Sequence, residues 1–250
     1  MKTYVIQDVQ AEDEEANKLF IETVKSQGHK VIEIGNLCWK DTIDLKVGNT
    51  FPGLVSPFGG IELAQYGLDE GWNVYWNTSF NYRWLHALGD DFLNNDMKYG
   101  RVKDLKLDPL TKYFIKDTDG FNKFKGQLVS GYALIPTIKG FGLGDWDELG
   151  VASVKRIHDE FRNFVVDGKL VTSTLYSRDG NIEYLNWDWN KTQKDFCNKI
   201  IDKLDIGMDT YVLDIFETDD GYKVGEVNCI HCSGWYAADV KKIAEALNVK

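Results

Sequence analysis

Cysteine is scarce: Cys38, Cys197, Cys229 and Cys232 are the four in 250 residues, irregularly spaced. That argues against a disulfide scaffold and suits a reduced compartment, so a cytoplasmic location is the default expectation. No stretch approaches the ~18 apolar residues of a membrane span. The apolar run in "MKTYVIQDVQAEDEE" is too short for a signal-peptide core and leads into acid. Positive charge is in deficit: 29 Lys and Arg against 39 Asp and Glu give a net charge of -10. That balance argues against a surface made to grip nucleic-acid phosphates. "MKYGRVKDLK" (Met97 to Lys106), the nearest thing to a basic run, reads as a solvated connector. No serine or cysteine has a nucleophile motif around it. "GFGLG" (Gly140 to Gly144) lacks the third glycine of a dinucleotide fingerprint. "CIHC" (Cys229, His231, Cys232) is half a zinc site with no second knuckle.

What is present is an ordinary globular composition, 43% hydrophobic and 27% charged, long enough for one large domain or two small ones. "TYVIQ" reads as a strand, and the segment after it carries Ala16, Leu19, Phe20 and Val24 on one helical face before Gly28 stops it. "HKVIEIG" resumes strand character, which opens an α/β sheet. "SPFGGIELAQYGLDEG" is a glycine turn feeding a helix, and "NYRWLHALGDDFLNN" predicts another helix. Periodicity fades between Lys103 and Thr111, which places a boundary near residue 108. From there "KYFIKDTDG", "GQLVSGYALI", "EFRNFVVDGKLVTSTLY" and "YVLDIFETDDGYKVGEVN" are β-type runs punctuated by Asp-Gly turns. "TQKDFCNKIIDKLD" and "AADVKKIAEALN" interleave as helices. The expectation is an α/β lobe over 1–107 and an α+β lobe over 108–250.

The last hairpin carries the sharpest chemical signal. A three-residue loop with Gly221 left-handed pairs Thr218 with Tyr222 and sets Asp214 directly opposite Glu226, with Asn228 on the same face. Two carboxylates roughly 5 Å apart across strands repel unless something sits between them. A hard divalent cation removes the repulsion, and Asp, Glu and an Asn carbonyl are its preferred ligands. The alternative reading is a half-exposed hairpin whose acids face solvent.

Other groups are weaker alone. Lys116 ends a strand, and Lys123 and Lys125 follow in a polar loop, either solvated or converging on phosphates as point charges. Glu160 and Arg162, two apart on a strand, are either a surface ion pair or a cleft-lining pair in which Arg162 stabilises developing charge. The aromatic clusters at Trp72, Tyr75 and Trp76 and at Trp187 and Trp189 read as core and lobe-interface residues.

In order, these pieces resemble the ATP-grasp superfamily, and in particular its small two-lobed phage and bacterial clade. "FIK" (Lys116), "KFKG" (Lys123), "VASV" (Val151 to Val154), "EFR" (Glu160, Arg162), "VLDI" (Asp214) and "GEVN" (Glu226, Asn228) match its motif order over residues 108–250, and "SGWY" looks like the segment that follows. The resemblance implies an ATP-grasp fold of two α+β subdomains after a small α/β pre-domain. It implies ATP between the subdomains, with Lys116 and Lys123 on the phosphates and Ser153, Val154 and Glu160 on the nucleoside. It implies magnesium on Asp214, Glu226 and Asn228, and catalytic roles for Arg162 and Lys123. Two departures stand out: Asp117 replaces the usual proline, and the hinge lacks its usual Glu. The activity implied is carboxylate–amine ligation through an acyl phosphate, on a small-molecule or peptide substrate. The rival readings are ATP-dependent phosphoryl transfer to a hydroxyl and a non-catalytic peptide- or glycan-binding module. An intact lysine and carboxylate set disfavours the binding module.

Overall fold

A computed structural model describes residues 1–7, 14–35, 40, 43, 46–48, 50–118 and 124–248. The wholly buried strand Thr3–Gln7 (β1) pairs in parallel with Lys30–Ile34 (β2) on one side and Val55–Phe58 (β3) on the other. The helix Glu14–Ser26 (α1) connects the first two, burying Phe20, Thr23 and Val24, while Leu19, expected on that face, is exposed. Gly28 takes a left-handed φ of 79°, the stop its position predicts. Gly59 and Gly60 then feed the helix Ile61–Asp69 (α2).

The stretch after it departs from expectation. Tyr82–Asp91 forms 3₁₀ turns rather than an α-helix, and Gly89 breaks them at φ 61°. The spacing fits the tighter turn: Tyr82, Leu85 and Leu88 are the buried residues, and three residues per turn place them on one face. The Asn81 side chain caps the start by accepting the Arg83 N–H at 3.0 Å.

Two antiparallel sheets follow. The smaller contains Lys98–Arg101 (β4), Lys112–Lys116 (β5), Gln127–Ser130 (β6) and Glu148–Ser153 (β7) in the order β4-β7-β5-β6. The boundary expected near residue 108 does not coincide with the edge of this sheet, because β4 already pairs with β7. "GQLVSGYALI" is not all strand either: β6 stops at Ser130 and the chain turns into the helix Leu134–Gly140 (α3), burying Leu134 and Ile138.

The larger sheet contains Asp159–Val166 (β8), Lys169–Arg178 (β9), Asn181–Trp187 (β10), Tyr211–Thr218 (β11) and Gly221–Asn228 (β12), in the order β10-β9-β8-β11-β12. Asp167 and Gly168, both left-handed, make the two-residue turn that fixes the β8–β9 register. The helix Lys191–Lys203 (α4) covers one side of the sheet through Cys197 and Ile200, joined there by Trp76, Phe80 and Leu85. On the other side Phe164, Val166 and Val212 pack on Tyr4, Phe20, Phe58 and Trp235, and on the helix Val240–Leu247 (α5). The large sheet is thus the floor shared by every other layer. Among the described residues no helix is long and apolar enough to cross a membrane.

Candidate active site

The hairpin register decides what faces what. Gly221 is left-handed, with φ 90°, but Thr218 pairs with Gly221 and Glu217 with Tyr222, one step from the expected register. A bulge then inserts Gly225 between the Ile215–Val224 and Asp214–Glu226 pairs, so the two acids do stand opposite each other. The bulge needs glycine, because a Cβ there would lie 2.2 Å from the Phe216 ring. It is also pinned from outside. The Tyr82 hydroxyl donates to the Gly225 carbonyl at 2.8 Å, and the Leu93 N–H donates to the Val224 carbonyl at 2.9 Å.

Arg162 of β8 lies opposite Asp214 on the other flank of β11, so Arg162, Asp214 and Glu226 form one row across three adjacent strands. The guanidinium grips Asp214 with two bonds, Nε to Oδ1 at 3.0 Å and Nη2 to Oδ2 at 2.9 Å, and Nη1 donates to the Gly234 carbonyl at 3.2 Å. Lys116 reaches from the end of β5 in the small sheet to Glu226, Nζ to Oε1 at 2.8 Å. The Asn228 amide nitrogen bridges the acids, 3.0 Å from Asp214 Oδ2 and 3.3 Å from Glu226 Oε2. The cross-strand repulsion expected from sequence is therefore met by the protein's own cations. Lys116, Arg162 and Asp214 are buried and Glu226 half-buried, and the two cations match the two carboxylates.

Electrostatics follow from burial and pairing. Burial alone would push the Glu226 carboxyl up, but Lys116 and the Asn228 amide hold it below the ordinary value. Burial raises the Asp214 carboxyl while Arg162 opposes that rise. Burial alone would also lower Arg162, yet the Asp214 charge holds it above its ordinary value. A guanidinium forked onto one carboxylate is a pairing of ions, and the row stands charged. Glu160, raised by burial, accepts from the Tyr176 hydroxyl at 3.0 Å.

These groups line a cleft of about 560 Å³ between the two sheets, within the usual size of a ligand pocket. Lys125, Glu160, Arg162 and the whole Lys116–Glu226–Asn228 set face it, and Phe114, Leu128, Ile157 and Phe216 supply apolar walls. Ser153 and Val154 are not among its lining residues. The Ser153 N–H is bound to Asp96 at 3.1 Å and Val154 is exposed, whereas Lys155 and Ile157 line the cleft instead. Lys123 lies outside the described residues. Sequence reasoning missed Tyr82, Asn94, Tyr176 and Tyr236, all of which line the cleft. Only Tyr236 had a signal, its place in "SGWY".

His231 is structural. Its Nδ1–H donates to the Pro57 carbonyl at 2.6 Å and its Nε2 accepts the Tyr75 N–H at 2.9 Å, so neither ring nitrogen is left for a metal. Burial lowers its pKa to about 4. Among the described residues no group of three or more His, Cys, Asp or Glu is arranged to hold a metal. Asp214, Glu226 and Asn228 are instead two carboxylates and an amide converging on one point. Half a turn of the Asn228 amide presents its carbonyl oxygen there, giving an all-oxygen donor set that fits a hard divalent cation.

The model of the ATP-grasp domain, R2K clade family 3, matches residues 63–247. The chain belongs to that family. The ATP-grasp fold expected from sequence is present. No curated protein matches its sequence. Among solved structures it is similar to the D-cycloserine synthetase DcsG, with a TM-score of 0.65 at 12% identity over 99% of this chain and 98% of that one. It is also similar to the ATP complex of D-alanine–D-alanine ligase from Bacillus anthracis, with a TM-score of 0.60 at 15% identity over 100% of this chain and 92% of that one. A third is the ATP-grasp ligase PsnB complexed with minimal precursor, with a TM-score of 0.54 at 12% identity over 98% of each chain. At these identities the likeness is one of fold.

Proposed function

We propose that this ATP-grasp chain is a magnesium-dependent ligase that joins a carboxylate to an amine through an acyl phosphate. The observation that carries the reading is the neutral row of Lys116, Glu226, Asp214 and Arg162 in a cleft between two sheets. The ligase names borne by structures of the same fold support it.

The base would lie against Phe114, Leu128, Ile157 and Phe216, where the cleft is apolar. Glu160 and the Lys155–Ile157 segment, which line the cleft where Ser153 and Val154 do not, would flank the nucleoside. Lys116, Lys123 and Lys125 would meet the phosphates as point charges. Asp214, Glu226 and Asn228 would hold magnesium, which when bound neutralises phosphate charge. A carboxylate oxygen attacks the γ-phosphorus and ADP leaves. The amine then attacks the acyl carbon, phosphate leaves, and the amine gives its proton to solvent. Arg162 faces the cleft with two of its five N–H groups uncommitted among the described residues. Its planar fork suits the oxygens of the transferring group better than a lysine does.

The test is hydroxylamine trapping. With Mg-ATP and a panel of carboxylic acids, ADP release should depend on the acid, and hydroxylamine should yield a hydroxamate. Mg-ATP should also raise the melting temperature. A stable phosphorylated alcohol without hydroxamate would instead establish the hydroxyl kinase. A folded protein whose melting temperature ignores millimolar Mg-ATP would count against any nucleotide chemistry.

A further inference from the structure

Three non-glycine residues among those described have left-handed backbone: Asp167, Asp179 and Tyr236. The first two sit in tight hairpin turns, where Asp tolerates that conformation. Tyr236, at φ 53°, follows β12 and its 3₁₀ turn and joins no pair of strands. A bulky residue held there is strained, and such strain persists only where the surroundings over-determine it.

What surrounds it is the site. The Tyr236 ring lies 4.7 Å from the Arg162 guanidinium carbon. It stacks on Tyr184 of β10 at 4.8 Å with 9° between planes, and on Tyr176 of β9 at 5.4 Å with 25°. The bonds from Arg162 to Asp214 and to the Gly234 carbonyl fix the guanidinium within its own plane. They leave it free to tilt out of that plane. A ring face set against the guanidinium removes the tilt and adds cation–π attraction.

We propose that Tyr236 is a positioning residue: backed by Tyr184, it holds the Arg162 guanidinium so that its two uncommitted N–H groups point at the oxygens of the transferring phosphoryl group. The proposal rests on the ligase reading above. It assigns a cause to the left-handed backbone at Tyr236, since any relaxation of φ there swings the ring off Arg162.

The test uses calorimetric titration of the full chain with Mg-ADP, and with Mg-ADP plus fluoroaluminate as a mimic of the transferring phosphoryl group. In the unsubstituted protein fluoroaluminate should tighten Mg-ADP binding. Tyr236→Leu should lose on the order of tenfold of that tightening, because a preorganised donor has been loosened. Its affinity for Mg-ADP alone should stay within about twofold, the scatter of uncoupled sites. Tyr236→Phe keeps the ring and should keep both affinities. In an Arg162→Gln background, Tyr236→Leu should change nothing further, because its effect passes through Arg162. If the Leu variant fails to fold, Tyr184→Leu removes the backing ring instead and should give a smaller loss in the same direction. Full fluoroaluminate tightening in the Leu variant, or in Tyr184→Leu when that stands in for it, would overturn the proposal. So would an equal loss for Mg-ADP alone or an undiminished effect without Arg162, while the ligase reading would stand. Absence of Mg-ADP binding by the unsubstituted protein would remove the ligase reading and this proposal with it.

Discussion

Replacing Gly225 by alanine adds one methyl group at the bulge that aligns the acids. The backbone there is not left-handed, so the substitution carries no conformational penalty of its own. The penalty is steric. The new Cβ would lie 2.2, 2.3 and 2.8 Å from Cε2, Cζ and Cδ2 of Phe216. Carbon atoms prefer at least ~3.5 Å, so the ring must retreat by roughly 1.3 Å. Phe216 is buried on a central strand flanked by β8 and β12, and the open direction for its ring is into the cleft. Overpacking of this kind costs about 1–3 kcal/mol. The stiffer unfolded chain returns about 0.4–1 kcal/mol, so a net loss of ~1–2 kcal/mol is expected. Urea denaturation should show a lower midpoint at unchanged slope, and Mg-ATP should bind more weakly because the displaced ring enters the part of the cleft assigned above to the base. The decisive measurement is the cycle with Phe216→Leu. In that background most of the Gly225→Ala cost should vanish, leaving a coupling energy of roughly 1 kcal/mol or more. Additive costs, or a neutral Gly225→Ala, would refute the idea that this contact sets the register.

The remaining predictions concern the buried charges. Asp214→Asn strips Arg162 of its counter-ion and should cost about 3–5 kcal/mol in chemical denaturation; a loss below ~1 kcal/mol would mean that the pair behaves as a surface pair does. Arg162→Lys keeps the charge but not the fork, and kcat/KM should fall by the equivalent of about 2–4 kcal/mol; near-normal rates would remove Arg162 from the chemistry. His231 is held neutral with a pKa of about 4, below the ~6.5 of an unfolded histidine. Its contribution to stability is therefore complete above pH ~6.5 and is lost as pH falls towards 4, because the unfolded state takes up the proton first. The full swing is roughly 3 kcal/mol, and His231→Gln, compared with the unsubstituted protein by urea denaturation at pH 7 and pH 4.5, should flatten that part of the slope.

Local pattern made the strand order of motifs legible, and the row of Asp214, Glu226 and Asn228 with it. The register was legible only by compensation: the loop is one step shorter than expected, and the Gly225 bulge restores the step. That bulge depends on Phe216 and Tyr82, contacts made after folding, and no periodicity records them. The Lys116–Glu226 pair spans 110 positions and is equally silent in the sequence. Tyr82–Asp91 looked α-helical because a spacing of three satisfies either helix, and Gly89 decided between them. The strand β10 was missed: it is a sheet edge with exposed Ile182 and Leu185, and its alternation is broken by a bulge before Leu185. Tyr236 was visible only as part of a motif, since backbone strain and ring stacking are properties of the folded chain.

Lys116 and Arg162 each have a carboxylate of their own at 2.8–3.0 Å. A phosphate arriving between them competes for cations that already have partners, so association exchanges ion pairs rather than adding to bare charge. The same exchange runs backwards when a product leaves, because each cation has a counter-ion to fall back on and no buried charge is stranded. Affinity should therefore be lower than the number of contacts suggests, and the difference should appear in the dissociation rate. For the ligase proposed above, which would shed both ADP and phosphate every cycle, the row of alternating charges would govern residence time as much as grip.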